Sequence, residues 1–254
     1  MTTQATKCET LAALHAADNA WLIPNPWDVG SALDMEKTGF KALATSSAAL
    51  AYTLGHKDGG VSLEEKLAHC AALCEHTTIP VSVDFEDGYS NEPAGVAENI
   101  QRLAATGVAG CSIEDFSRVD QTIFDFDHAV ERMQAAAEAV AALAFPFQLV
   151  ARAENVLRKY ADLDEAIKRL QAYSAAGAHV LYAPGLSTLE QVREVADNTD
   201  KPINVLSPFL PNASLQDLDD AGATRVSLGS ALQIKIRAQF SAEIEDLYKS
   251  GRAS

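Results

Sequence analysis

The chain has 254 residues, of which 48% are hydrophobic, and its formal net charge is −15 at pH 7. That length suffices for one large α/β domain or for two small domains. The excess of acidic residues argues against nucleic acid as a partner, because contacts to phosphates require a basic surface. The most apolar region, residues 135–151, is interrupted by Glu138, Pro146 and Gln148, so we expect no membrane span and a cytoplasmic protein.

Four glycines that end predicted helices, each followed by a short apolar run, organise the chain. They are Gly39, Gly107, Gly177 and Gly222, and the runs after them are typical of buried parallel strands. Similar runs without the glycine occur at residues 21–24, 80–84, 147–152 and 202–206. Together they predict about eight strands, the number in a closed barrel.

Helical patterns alternate with these strands, at residues 29–37, 63–75, 94–105, 129–143, 163–175, 189–198, 215–221 and 232–248. Eight strand-helix units in a chain of this length predict a (β/α)8 TIM barrel, a member of the α/β class. An open, doubly wound sheet is the alternative, disfavoured because no Gly-x-Gly-x-x-Gly loop follows the first strand. We expect one domain spanning residues 1–254, with a short extra helix at residues 10–17 before the barrel.

In such a barrel the active site lies at the carboxyl ends of the strands. Asp84 and Glu86 end the third predicted strand on one face, Glu114 ends the fourth, and Arg152 ends the fifth. Clustered carboxylates of this kind bind a hard cation such as Mg²⁺, or Mn²⁺, and an arginine suits a carboxylate. The alternatives are ordinary solvated or paired acids, and a structural salt bridge from Arg152 to Glu154 or Glu114.

Other polar residues follow the remaining strands. Ser46 and Ser47 follow the second, where hydroxyl and backbone amide donors could bind an anionic oxygen, although ordinary loop residues would look the same. Asp58 lies in a glycine-rich loop on the same face, as a further metal-shell acid or as a turn residue. Asn204, on the seventh strand, is a candidate substrate contact.

Several short motifs follow one another in a specific order along nearly the whole chain. They are Asn25-Pro26-Trp27-Asp28-Val29-Gly30, Gly39-Phe40-Lys41 leading to Ser46, Asp58, Asp84-Phe85-Glu86-Asp87-Gly88, Ile113-Glu114-Asp115 and Ala151-Arg152-Ala153-Glu154. The ordered series resembles the isocitrate lyase and phosphoenolpyruvate mutase superfamily, in particular its phosphoenolpyruvate phosphonomutase-like members.

The resemblance implies a barrel that binds an α-oxo acid or its enolate with Mg²⁺. It also implies a homodimer or homotetramer that exchanges the last helix. By position, the residues that resemble the metal-shell acids are Asp58, Asp84, Glu86 and Glu114. We expect catalytic roles for Arg152, Ser46 and Glu114, and substrate contacts from Ser46, Ser47, Ala48, Arg152 and Asn204.

One segment departs from the pattern of that superfamily. Its lyases carry a Lys-Lys-Cys-Gly-His type loop after the fourth strand, whose cysteine is the acid or base, and its mutases carry lysine and asparagine or threonine there. Residues 116–122 of this chain contain neither cysteine nor lysine. We therefore expect C–C cleavage or decarboxylation of an oxaloacetate-like acid through an enolate. Phosphonopyruvate hydrolysis or phosphoenolpyruvate mutation, with C–P chemistry, is the runner-up, and binding of a small anion without turnover is a third interpretation.

Overall fold

Short apolar runs form eight parallel strands of one sheet in the computed structural model, which describes residues 2–251. These strands are β1 (Trp21–Ile23), β2 (Leu43–Ala44), β3 (Val81–Asp84), β4 (Gly110–Glu114), β7 (Gln148–Arg152), β8 (Val180–Tyr182), β9 (Ile203–Leu206) and β10 (Arg225–Ser227). A separate antiparallel hairpin, β5 (Phe116–Ser117) with β6 (Thr122–Ile123), follows β4.

The sheet closes on itself into a barrel. Its strand order is β1-β10-β9-β8-β7-β4-β3-β2, which leaves β1 and β2 at the two edges. The amide of Ala44 donates to the carbonyl oxygen of Pro24 at 2.9 Å, and Asn25 Nδ2 donates to the carbonyl of Thr45 at 3.1 Å. These bonds join the two edges, so the predicted (β/α)8 barrel is confirmed.

Helices surround the barrel in the alternation that the sequence predicts. They are α1 (Gln4–His15), α2 (Val29–Thr38), α3 (Ser47–Thr53), α4 (Leu63–His76), α5 (Pro93–Ala104), α6 (Phe126–Ala141), α7 (Leu163–Ala175), α8 (Leu189–Asp197), α9 (Leu215–Asp220) and α10 (Ala231–Ser250). The helix-ending glycines behave as predicted, because Gly39 and Gly177 have positive φ angles of 107° and 110°. The sequence analysis missed α3, which Ser46 caps by accepting from the Ala49 amide at 3.4 Å.

The first helix closes the amino end of the barrel. It begins at Gln4 rather than at Thr10, and it buries Cys8 and Leu11 against Ile23 and neighbouring barrel residues. His15 Nδ1 lies 3.2 Å from Oε1 of Gln148, the first residue of β7. Because α1 covers this end, the barrel interior is accessible from the carboxyl ends of the strands.

The last helix leaves an apolar stripe exposed. Along α10 the stripe comprises Ile236, Phe240, Ile244 and Leu247, which are 43%, 63%, 46% and 43% exposed. Their spacing of three and four residues places them on one helix face. Across residues 2–251, no helix combines the length and the apolar composition needed to cross a membrane.

Candidate active site

Two adjoining cavities lie at the carboxyl ends of the strands, and Ser47, Asp58 and Arg152 line both. The barrel cavity, about 170 Å³, extends between the strands and is lined by residues that include Asp84 and Arg225. The hairpin cavity, about 160 Å³, lies beside the β5–β6 hairpin; its lining residues are Ser47, Asp58, Gly59, Glu86, Glu114, Phe116, Arg118, Gln121, Arg152 and Arg158. A larger cleft of about 610 Å³ is lined by residues at the ends of α6 and α7, and its lining is mainly apolar. Charged groups that could act on a substrate therefore converge at the two smaller cavities.

Arg152 is the central cation of this site. Its Nη1 lies 3.3 Å from Glu114 Oε2 and 3.6 Å from Asp84 Oδ1, and its Nε donates to Glu154 Oε1 at 2.5 Å. Burial lowers the pKa of Arg152, but Glu154, Glu114 and Asp84 outweigh that effect and raise the pKa well above its ordinary value. The salt bridges expected as the structural alternative are thus present, while the guanidinium also lines both cavities.

Asp84 and Glu114 flank this guanidinium but differ in protonation tendency. Burial raises the pKa of Asp84, yet Arg152 and Lys66 outweigh it, so the pKa lies below the ordinary value. Burial also raises the pKa of Glu114, and the nearby carboxylates of Glu154 and Asp84 add to that effect, so its pKa lies well above the ordinary value despite Arg152. The same guanidinium thus lies between two carboxyl groups whose pKa values are shifted in opposite directions.

Glu86 lies beyond the end of β3 and not on it. The strand ends at Asp84, and Glu86 has a φ angle of +50°, so the prediction that the two acids share a strand face is wrong. Glu86 Oε1 instead accepts from the Tyr89 hydroxyl at 2.7 Å and lies 3.4 Å from Nζ of the fully buried Lys66. Burial raises the pKa of Glu86, with Lys66 opposing. The side chain nevertheless reaches the hairpin cavity.

The chemistry of these acids fits a hard divalent cation. Around the cavities, the carboxylates of Asp84, Glu86, Asp87, Glu114 and Glu154 lie among five cations, and the exposed Asp58 adds negative charge at the rim. The cations are Lys66, Arg118, Arg152, Arg158 and Arg225. Within residues 2–251, no three acidic, histidine or cysteine side chains already form a ligand cluster. Mg²⁺ keeps several water ligands, so it does not need three direct protein ligands. Metal binding by Asp58, Asp84, Glu86 and Glu114 stays a prediction.

The predicted substrate contacts occupy different positions. Ser46, Ser47 and Ala48 all line the barrel cavity at the start of α3. The sequence analysis expected the Ser47 backbone amide to be free, but it donates to Asp84 Oδ2 at 2.9 Å. This hydrogen bond connects the predicted anion site to the predicted metal site. Asn204 is buried beside the cavity, donates from Nδ2 to Ser227 Oγ at 3.0 Å, and is not among the lining residues. Its contact with substrate stays a prediction.

Arg118 holds the β5–β6 hairpin beside the hairpin cavity. Its backbone amide and Nε donate to Asp87 carboxylate oxygens at 2.9 and 2.7 Å. Its Nη1 donates to the carbonyl oxygens of Gly59 and Val61 at 3.4 and 3.3 Å, and its guanidinium lies 3.9 Å from the Tyr89 ring centroid. One side chain thus connects the hairpin to the Asp58 loop and to the segment after β3.

Comparison with known proteins identifies the family. The phosphoenolpyruvate phosphomutase family matches residues 11–248. The chain belongs to this family. The resemblance to the isocitrate lyase and phosphoenolpyruvate mutase superfamily, drawn from the ordered motifs, is thereby confirmed.

Solved and named relatives agree on the fold and on the enzyme class. A crystal structure of a protein from Burkholderia cenocepacia J2315, assigned as a lyase or mutase, superposes with a TM-score of 0.94 at 41% identity, over 98% of this chain and 90% of that one. The chain is 28% identical to the 2-methylisocitrate lyase of Escherichia coli (strain K12), over 73% of this chain and 64% of that enzyme. It is 29% identical to the oxaloacetate decarboxylase of Rhodopseudomonas palustris (strain BisB5), over 66% of this chain and 57% of that enzyme.

These two relatives carry the names of different activities at nearly equal identity to this chain. Family membership therefore indicates an enzyme of the lyase or mutase type, but it does not identify which reaction the enzyme catalyses. The divalent metal is a property of the family, while the choice of ion for this chain stays a prediction.

The sequence analysis did not predict two buried cations at the site, Lys66 and Arg225. Lys66 lies on α4, outside the strand ends where the site was sought, and no sequence signal marks it. Arg225 begins β10 and lines the barrel cavity. Its signal was available, because an arginine within a buried strand run is costly unless a partner is present.

Proposed function

We propose that this protein is a divalent-metal-dependent enzyme that cleaves a C–C bond of a small anionic α-oxo acid, with an oxaloacetate-like acid as the first candidate. The observation that carries the proposal is the position of Arg152, which faces both cavities between Asp84 and Glu114. Support also comes from the two relatives named 2-methylisocitrate lyase and oxaloacetate decarboxylase.

The side chains of this site suit the formation of an enolate. Asp84, with Asp58, Glu86 and Glu114 around it, would hold Mg²⁺ or Mn²⁺. When bound, the cation supplies Lewis-acid polarisation of the oxo and carboxylate oxygens of the substrate. Arg152 would orient the substrate carboxylate and stabilise the negative charge that develops on the oxo oxygen as the C–C bond breaks. The Ser46 hydroxyl would donate a hydrogen bond to an anionic oxygen of the substrate.

The sequence of the hairpin disfavours one group of reactions. Residues 116–122 contain no cysteine or lysine, so they offer no thiol as the proton donor or acceptor of isocitrate cleavage, and no ammonium for phosphoryl transfer. Cys111, the cysteine nearest to the hairpin in sequence, is fully buried on β4, and burial raises its pKa. Decarboxylation or simple C–C cleavage requires little beyond enolate stabilisation and is therefore preferred.

A panel of α-oxo acids assayed with Mg²⁺ tests this proposal. We expect turnover of an oxaloacetate-like acid, and only background formation of glyoxylate from isocitrate and of pyruvate from 2-methylisocitrate. The missing acid-base group accounts for the second result, since such groups contribute about 10²–10⁴-fold. Phosphonopyruvate in the same panel tests the C–P alternative. Robust isocitrate cleavage would contradict the proposal, and calorimetric binding without any turnover would favour the small-anion binder.

Loosening the hairpin is expected to weaken substrate binding. Arg118→Ala removes the guanidinium bonds to Asp87, Gly59 and Val61 and keeps the backbone amide bond to Asp87. KM for the true substrate should therefore rise about tenfold or more while the fold persists, as expected for a lost charged hydrogen bond. Steady-state kinetics measure the effect. Arg193→Ala, on the outer helix α8, serves as a surface control. An unchanged KM in Arg118→Ala would show that the hairpin does not contribute to binding.

We also propose that the α10 stripe packs on a second copy of the chain, giving a homodimer or a dimer of dimers. Four large apolar side chains on one exposed face exceed what a solvated helix needs, and the superfamily resemblance implies helix exchange.

The cytoplasmic location expected from the sequence likewise stays a prediction.

Sedimentation at micromolar concentration tests the assembly. The wild type should sediment as a dimer or tetramer, and the double variant Phe240→Asp/Ile244→Asp should shift toward monomer, because each buried apolar side chain contributes about 1.5–3 kcal/mol. Gln239→Asp places a single new carboxylate beside the stripe and should leave the assembly intact. A stable wild-type monomer would contradict the proposal.

A further inference from the structure

Arg225 is a buried arginine that forms no ion pair with any residue between 2 and 251. It is 5% exposed, and its Nη1 donates to Ser82 Oγ at 3.4 Å, a long hydrogen bond. Among the described residues 2–251, Arg225 Nε has no hydrogen-bond partner and no carboxylate forms a salt bridge with this guanidinium. Its register neighbours on the adjacent strands are Trp21 and Asn204, and within residues 2–251 the Asn204 Oδ1 atom is likewise without a hydrogen-bond partner.

The two arginines that line the barrel cavity differ in this respect. Arg152 contacts three carboxylates, whereas Arg225 forms no salt bridge within residues 2–251 and feels the Asp84 carboxylate only from beyond salt-bridge distance. Burial lowers the pKa of Arg225 to about 10, with Tyr182 and Asp84 opposing, so the side chain remains protonated near neutral pH. A buried, unpaired cation is costly, and an anion that enters the cavity would offset that cost.

The two arginines also lie at different depths in the barrel. Arg152 contacts Asp84, the last residue of β3, while Arg225 contacts Ser82, two residues earlier on the same strand. Arg225 therefore lies deeper than Arg152, and both line the same cavity of about 170 Å³. A small molecule with an anionic group at each end could contact both guanidinium groups.

We propose that Arg225 is a specificity-determining residue that binds one carboxylate of the substrate in the deep part of the barrel cavity. The site then selects small dicarboxylates over monocarboxylates of the same length, with the second carboxylate near Arg152. This inference rests on the proposed function for the identity of the substrate as an oxo acid. Arg225 begins the last strand, so the rule that active-site residues lie at the carboxyl ends of strands does not predict it.

Calorimetry with matched dianions and monoanions tests the inference without turnover. The probes are malonate and succinate, each compared with its own monomethyl ester, in the presence of Mg²⁺. We expect the wild type to bind at least one dianion about tenfold or more tightly than its ester, and Arg225→Gln to reduce that ratio to about two. Arg102→Gln, the same change at a surface arginine paired with Glu64, should keep the wild-type ratio.

Ser82→Asp provides a second, independent test that keeps Arg225 in place. The new carboxylate would lie beside the guanidinium and pair with it, so the preference for dianions should disappear while the melting temperature rises or stays unchanged. Equal binding of dianion and ester by the wild type would overturn the inference. So would an unchanged ratio in folded Arg225→Gln or in Ser82→Asp.

The outcomes separate this inference from the proposed function. If the oxo acid panel shows no turnover but the preference for dianions depends on Arg225, the proposed function fails and the binding role stands. If an oxo acid is turned over while malonate and succinate bind no better than their esters, the function stands and the role of Arg225 is overturned.

Discussion

Removal of divalent metal is expected to abolish turnover of the oxo acid substrate, and added Mg²⁺ or Mn²⁺ is expected to restore it. The matching variant is Asp84→Asn, which keeps the shape of the side chain and an oxygen that can accept from the Ser47 amide. Because a Lewis acid contributes several kcal/mol to such a reaction, we expect kcat/KM to fall about 10³-fold in the variant. Kinetics across a Mg²⁺ titration, with circular dichroism to monitor folding, measure the effect.

A surface aspartate provides the control for that prediction. Asp34→Asn makes the same chemical change on the exposed side of α2 and should leave both activity and metal dependence unaltered. Full activity of the wild type in excess chelator would rule out the metal-dependent mechanism. Loss of secondary structure in Asp84→Asn would instead show that the carboxylate is needed for folding.

Replacement of Arg152 by lysine is expected to have the second largest effect. Lysine keeps the charge but loses the planar fork, so it cannot contact Glu154 and a substrate carboxylate together as the guanidinium can. We expect kcat/KM to fall by about 1.5–3 kcal/mol, roughly 10- to 150-fold, the usual scale for a lost charge-assisted hydrogen bond. Steady-state kinetics with the best substrate of the panel measure it.

Glu154→Gln separates binding from structural support. Glu154 is fully buried and accepts from both Arg152 and Arg158, so this variant removes the charge that holds Arg152 in place. If Arg152→Lys had wild-type kinetics while Glu154→Gln unfolded, Arg152 would be a structural residue only. A kinetic defect in Arg152→Lys with a normal melting temperature supports a role in binding.

Much of the architecture follows from local sequence. Helix-ending glycines, apolar runs and capping residues such as Ser62 determine each element by short-range sterics and hydrogen bonding, and their strict alternation leaves few ways to arrange the chain. The barrel rule then locates Asp84, Glu114 and Arg152 at one end, and the structure places all three within salt-bridge distance. Periodicity could not show where β3 ends, so Glu86 was wrongly expected on the same face as Asp84.

Charge pairing was decided only by the tertiary structure. The sequence by itself determined the fold class, the end of the barrel that carries the site and the family, because these depend on local patterns and motif order. Which cation offsets which acid depends on distances between residues far apart in the chain, as with Lys66 and Glu86 or Arg118 and Asp87. The same holds for Arg225, which the closed barrel buries beside Ser82 and for which residues 2–251 provide no salt-bridged carboxylate. Its surroundings come from opposite strands that sequence spacing does not relate.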